Sequence, residues 1–205
     1  MSTPKTRALL VDVARELFAK NGIEATTMND IALASGKGRR TLYTYFRSKE
    51  DVYYAVIEHE LKLMSEKMDE VAAMLVDPLE KVFQLVYTHL HMIRETVSRN
   101  GSLRAEFFRN IWKVEGVRKT FDAEEIRLLN QVLTEGVEKG ALNIDHISLM
   151  AEIIHYTIKG LEVPYIFNRL GGGLTEEETY PIVKEIVQAH NENINVISTE
   201  GVGTE

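Results

Sequence analysis

Cysteine is absent from the 205-residue sequence, which excludes disulfides and thiolate metal sites and leaves no sign of an oxidising compartment. Proline is scarce, at four residues, and runs of β-branched residues are few, so the chain reads as helical throughout. No apolar run approaches the roughly 18 residues that would span a bilayer. The N-terminal stretch "TRALLVDVARELFAK" is interrupted at helical spacing by Asp12, Arg15 and Glu16, so it is no secretory signal. A cytoplasmic protein with no membrane partner is therefore expected. What is present fits an ordinary globular protein: 44% hydrophobic and 27% charged residues.

Charge is unevenly spread. Residues 1–50 hold nine Lys/Arg against five Asp/Glu, whereas the remainder holds fifteen against twenty-six, giving a net −7 overall. A basic head on an acidic body suggests that the head faces a polyanion.

Apolar spacing and cap signals predict the helices. The first covers roughly residues 5–20, with Leu10, Val13, Ala14, Leu17 and Phe18 on one stripe and Asn21-Gly22 as its end. Thr27 and Asp30 form a capping-box pattern for a short helix burying Met28, Ile31 and Ala32, broken at Ser35-Gly36. A third short helix covers about 38–46, and Ser48 with Asp51 opens a longer one to about Leu75. Asp77-Pro78 starts a helix to about 98, ended by Asn100-Gly101-Ser102. A short aromatic helix over "LRAEFFRNIWKV" precedes a separate one at 117–139, ended by Gly140. Asp145 is placed to cap a long apolar helix to about 170, bent near Gly160 and Pro164. Gly171–Gly173 form a joint before a last helix, whose start near Thr175 or near Pro181 is open.

Within the head, two short helices meet at Gly36 behind a supporting helix, a helix-turn-helix pattern. On a wheel of about 100° per residue, Leu42 and Phe46 share the anchoring face while Arg40, Thr41, Tyr43 and Thr44 occupy the opposite side. Arginine can grip guanine O6 and N7 in the major groove, and Thr, Tyr and Lys49 can meet phosphates. A solvated polar face with packing tyrosines would have the same composition, and the wheel alone does not separate the two.

Phe18, Gly22, "ATTMNDIA" at 25–32, Gly36, "TLYTYF" at 41–46 and "SKEDV" at 48–52 resemble the DNA-binding domain of TetR-family transcriptional regulators. The resemblance implies base contacts from Arg39, Arg40 and Tyr43, and phosphate contacts from Thr27, Thr41, Thr44, Tyr45 and Lys49. Arg39 and Tyr45 rest mostly on that resemblance. Two positions depart from the family pattern: Lys37 replaces a small aliphatic residue, and Gly38 stands where a serine-like cap is common. A looser turn, with Lys37 as an added phosphate contact, is the expectation.

The resemblance further implies an all-α fold of about nine helices. Residues 1–50 would be the DNA-binding domain and 51–205 a helical regulatory domain that binds an unidentified small-molecule effector. Homodimerisation through about 145–170 and 176–197 would present two heads to a pseudo-palindromic operator in double-stranded DNA. The function implied is a repressor released by its effector. Activation, or a structural DNA-binding role without effector, is the alternative. Tyr87, His91, Phe107, Phe108, Trp112 and Tyr156 are candidate cavity residues, although such side chains more often fill a core. No metal or cofactor is expected: His89 and His91 point about 160° apart on a helix, and His59 and His155 lack a partner one turn away. Neither a nucleophile–base pair nor a glycine-rich phosphate loop suggests an enzyme.

Overall fold

The computed structural model describes residues 3–99, 111–169, 177–182 and 184–185. Among these the fold is all-helical: α1 (Thr3–Asn21), α2 (Met28–Ala34), α3 (Arg39–Tyr45), α4 (Lys49–Ala72), α5 (Pro78–Arg99), α6 (Ile111–Glu138) and α7 (Ile147–Ile166). Residues 177–182 are helical again. The 100–102 break, Phe107, Phe108, the 171–173 joint and most of the expected last helix lie outside the described residues. None of the described helices is long and apolar enough to cross a membrane.

The chain divides into two compact units, Met1–Glu66 with Met92–Ala123 and Lys67–His91 with Glu124–Glu205. In the first, α1 buries Leu10, Val11, Ala14 and Phe18; α2 adds Ile31 and Ala32, α3 adds Leu42, and α4 adds Val52, Ala55 and Val56. The Phe18 and Tyr53 rings meet edge-on with centroids 6.4 Å apart, an arrangement suited to their quadrupoles. Helices α2 and α4 start where their capping pairs dictate. Thr27 accepts from Asp30 N at 3.2 Å while Asp30 Oδ2 accepts from Thr27 N at 2.9 Å. Ser48 and Asp51 repeat the exchange at 3.1 and 3.2 Å.

In the second unit, α5 presents Phe83, Leu85 and Leu90 to the core, and α6 presents Leu128, Leu129, Val132 and Leu133. Against them α7 lays Ile158 and Tyr165, which cluster with Leu90 and with Val86, Ile154 and Leu161. Close approach is built in at Gly136, where a Cβ would come within 2.4 Å of Leu142 Cδ1 and 3.2 Å of Pro78 Cβ. Tyr180 and Lys184 return to α5 through polar contacts: Glu80 accepts from both, and from Gln84 of its own helix. Burial pushes the Glu80 carboxyl up, but those hydrogen bonds and the Lys184 charge outweigh it and bring it down to about 2.

Three helix boundaries differ from the sequence expectation. The break expected before 117 is not formed; α6 runs unbroken from Ile111 through Gly116. Glycine costs about 1 kcal/mol there relative to alanine, and the long helix on either side absorbs it. Asp145 does not cap α7: His146 occupies the cap position, without a side-chain hydrogen bond. Finally α7 stops at Ile166, short of 170, because Asn168 takes φ 51° and the Arg169 N–H closes on Pro164 O at 2.8 Å. That is the left-handed closure more often made by glycine.

Candidate nucleic-acid interface

The turn before α3 is closed by backbone hydrogen bonds. Gly36 sits at φ 64°, its N–H donates to Leu33 O at 3.1 Å, and Lys37 N donates to Ala32 O at 3.0 Å. Both bonds of a Schellman closure are therefore made. The looser turn expected from Lys37 and Gly38 is not seen, because these bonds use only the Lys37 backbone and Gly38 needs no side chain to serve as the cap of α3. Leu42 is fully buried and Phe46 nearly so, and the Arg7 guanidinium lies 5.3 Å above the Phe46 ring. These anchors turn the rest of α3 outward.

Arg39, Arg40, Tyr43 and Thr44 are all exposed, and Tyr43 keeps 45% of its surface in solvent. Neither guanidinium has a side-chain partner among the described residues, so both are available to a ligand. Thr44 Oγ1 donates to Arg40 O at 2.9 Å, which leaves its lone pairs free to accept. Lys37, Thr41 and Tyr45 are half-buried at the edges of the same face. Thr27 is exposed, but its hydroxyl is committed to the capping box: it also donates to Asp30 Oδ2 at 2.7 Å. Those bonds hold the Asp30 carboxyl below its ordinary value.

Lys49 stands differently from the expected phosphate contact. Its Nζ donates to Ile23 O at 2.6 Å and Glu24 O at 3.3 Å, tying the start of α4 to the beginning of the α1–α2 turn. Two of its three protons are thus used within the head. Lys49→Met is expected to weaken operator binding without changing the slope of log affinity against log salt. A true phosphate contact would lower that slope by about one on removal. Titrations at four salt concentrations distinguish the two outcomes.

A model of "Bacterial regulatory proteins, tetR family" matches residues 10–56, the span from α1 into α4 that contains Thr27, Lys49 and all of α3. The "HTH-type transcriptional regulator AcrR" of Shigella flexneri is 25% identical over 173 residues, covering 80% of this chain and 79% of that protein. Residues 10–56 are a TetR-family DNA-binding domain. The "Fatty acid metabolism regulator protein" of Bacillus subtilis (strain 168) is 23% identical over 165 residues, 78% of this chain and 82% of that protein. Among solved structures, FadR from Bacillus subtilis in complex with stearoyl-CoA shares the TetR-like fold, with a TM-score of 0.64 at 20% identity, 87% of this chain and 96% of that chain.

The residues expected to line a regulatory cavity behind the TetR-family head fare unevenly. Tyr87 is buried, donating to Thr179 Oγ1 at 3.4 Å with its ring 5.0 Å from that of Tyr180. His91 is exposed, and Tyr156 keeps 65% of its surface in solvent with its ring against His155. The Trp112 side chain, like Phe107 and Phe108, lies outside the described residues.

Residues that the sequence expectation did not bring together form a buried polar cluster among the described residues instead. His89 Nδ1 lies 2.6 Å from Glu125 Oε1, His89 Nε2 lies 3.0 Å from Glu162 Oε1, and Glu125 Oε2 lies 2.5 Å from His155 Nδ1. The expectation that His155 lacks a partner held only along its own helix; its partner comes from α6. Each member sits in phase with an apolar stripe: Leu85-His89-Ile93 on α5, Phe121-Glu125-Leu128-Val132 on α6, and Ala151-His155-Ile158-Glu162-Tyr165 on α7. An ionisable residue in core phase on each of three helices was the available signal. The contacts form a chain of pairs, and among the described residues no group of three or more His, Cys, Asp or Glu could hold a metal ion.

Proposed function

We propose that this TetR-family protein is a repressor that binds a pseudo-palindromic operator as a homodimer and is released by a small-molecule effector. Residues 1–50 carry DNA binding, and 51–205 carry effector binding and pairing, in the cytoplasm. The observation that carries the DNA-reading part is the outward face of α3, where Arg39, Arg40, Tyr43 and Thr44 stand exposed above the buried Leu42. Two guanidiniums beside hydroxyl groups match guanine edges and flanking phosphates in a major groove. Lys37, Thr41 and Tyr45 flank that face and Thr27 lies at the start of α2, each a proposed backbone contact.

Pairing is supported by α7. Opposite its buried stripe it exposes Leu149, Ile153, Tyr156, Val163 and, just past its end, Phe167. A helix apolar on both faces is half-explained by its own core. A second copy across a two-fold axis covers the other half and sets two heads for half-sites about one DNA turn apart.

Release by an effector is supported by relatives of the same architecture. Because the Bacillus subtilis FadR structure holds stearoyl-CoA, that compound is the first probe for release. The deciding experiment is binding of the full-length protein to DNA from its own promoter region, with and without stearoyl-CoA. Specific binding that no effector candidate reverses would favour the structural role.

A further inference from the structure

His89 is fully buried between two carboxylates from different helices: Glu125 of α6 faces Nδ1 at 2.6 Å and Glu162 of α7 faces Nε2 at 3.0 Å. His155 of α7 stands behind Glu125 on its other oxygen at 2.5 Å. Glu125 and Glu162 are the charged groups that act on the imidazole, and His155 faces Glu125 from behind. A carboxylate can only accept, so each short contact requires a proton between the two atoms. With both glutamates ionised, His89 must carry both ring protons and is an imidazolium, while His155 needs only its Nδ1–H. Two carboxylates bracketing one imidazole therefore define the charged form as the state in which all contacts are satisfied.

Burial alone would oppose that charge. The hydrogen bonds and negative charge of Glu125 and Glu162 outweigh it, and His89 is pushed up to about 9. Burial likewise pushes Glu125 up, yet the hydrogen bonds from His155 and His89 bring it below its ordinary value. Both directions agree with the proton count.

We propose that His89, Glu125, His155 and Glu162 form a proton-loaded clasp that fastens α7 to α5 and α6, so that alkaline pH loosens α7. When the proton leaves His89 for solvent, a nitrogen lone pair is set against a carboxylate oxygen inside the core, and one buried glutamate loses the His89 donor. Because the folded value is raised above the ordinary 6.5, the stabilisation is fully present below about 6.5 and is lost as pH rises through about 9. This gives the protein an input independent of its effector, and it does not rest on the DNA-binding reading. The same α7 carries the exposed apolar stripe on its outer side, so the loosening would reach the pairing face as well.

The test uses full-length protein with 15N-labelled histidine. At pH 7.5 both His89 nitrogens are expected in the protonated range, changing together near pH 9. Amide exchange of α7, corrected for intrinsic rate, is expected to lose protection on the order of tenfold between pH 7.5 and 9.5. In His89→Gln, whose amide can still donate, α7 protection is expected to be lower at pH 7.5 and nearly flat with pH. A neutral His89 at pH 7.5 would overturn the proposal. So would a titration near pH 9 that leaves α7 protection unchanged, which would make the cluster structural only. The wild-type titration decides even where the variant fails to fold.

Discussion

Ile153→Glu is expected to convert the protein from dimer to monomer and to weaken operator binding by two orders of magnitude or more. Ile153 is 50% exposed in the single chain, so a carboxylate there remains solvated in the monomer and leaves its helix intact. Two-fold symmetry would bring the substitution in twice, placing two carboxylates in an apolar interface. Desolvating an unpaired charge costs several kcal/mol, enough to overturn an interface built on a few half-exposed side chains. A monomer grips one half-site, and the second head no longer gains from the first. Sedimentation equilibrium measures the first effect and anisotropy on operator DNA the second. Retained dimerisation would place the pairing face elsewhere, and Ile153→Val, which keeps the apolar surface, should behave as wild type.

Arg40→Ala has the second large effect. One arginine lost from a major-groove contact costs about 1–3 kcal/mol of discrimination, and a dimer loses two, so specific affinity should fall by roughly 10²–10⁴. The melting temperature should barely change, because the side chain is exposed and pairs with nothing within the described structure. Leu42→Ala provides the opposite control. It removes the fully buried anchor of α3 and should cost about 2–5 kcal/mol of stability. If Arg40→Ala lowers the melting temperature and DNA affinity together, Arg40 is structural and the reading face is misassigned.

The head was legible because its signals are local. Thr27 with Asp30, Ser48 with Asp51, and the glycines at 22 and 36 each act within one turn of their own residue, and they appear in the structure as the spacing implies. Local signals also failed at two helix boundaries. The boundary expected before 117 is absent, with Gly116 inside α6, and Asn168 ended α7 where no glycine marked the position. The His89–Glu125–His155 cluster was invisible for a different reason. Its members lie 36 and 30 residues apart, and no periodicity within one helix shows which stripe another helix will meet. The outer face of α7 lay between these cases: the helix was recognised as apolar, but its division into a buried and an exposed stripe depends on packing partners.

The central claim is that α3 reads DNA sequence as part of a paired head. It is tested most directly by titrating full-length protein into labelled DNA from its own promoter region, at fixed salt, against unrelated DNA of equal length. Saturation at two protomers per site, with affinity at least about 10³-fold above the unrelated DNA, is the predicted result. Equal affinity for both DNAs would contradict it.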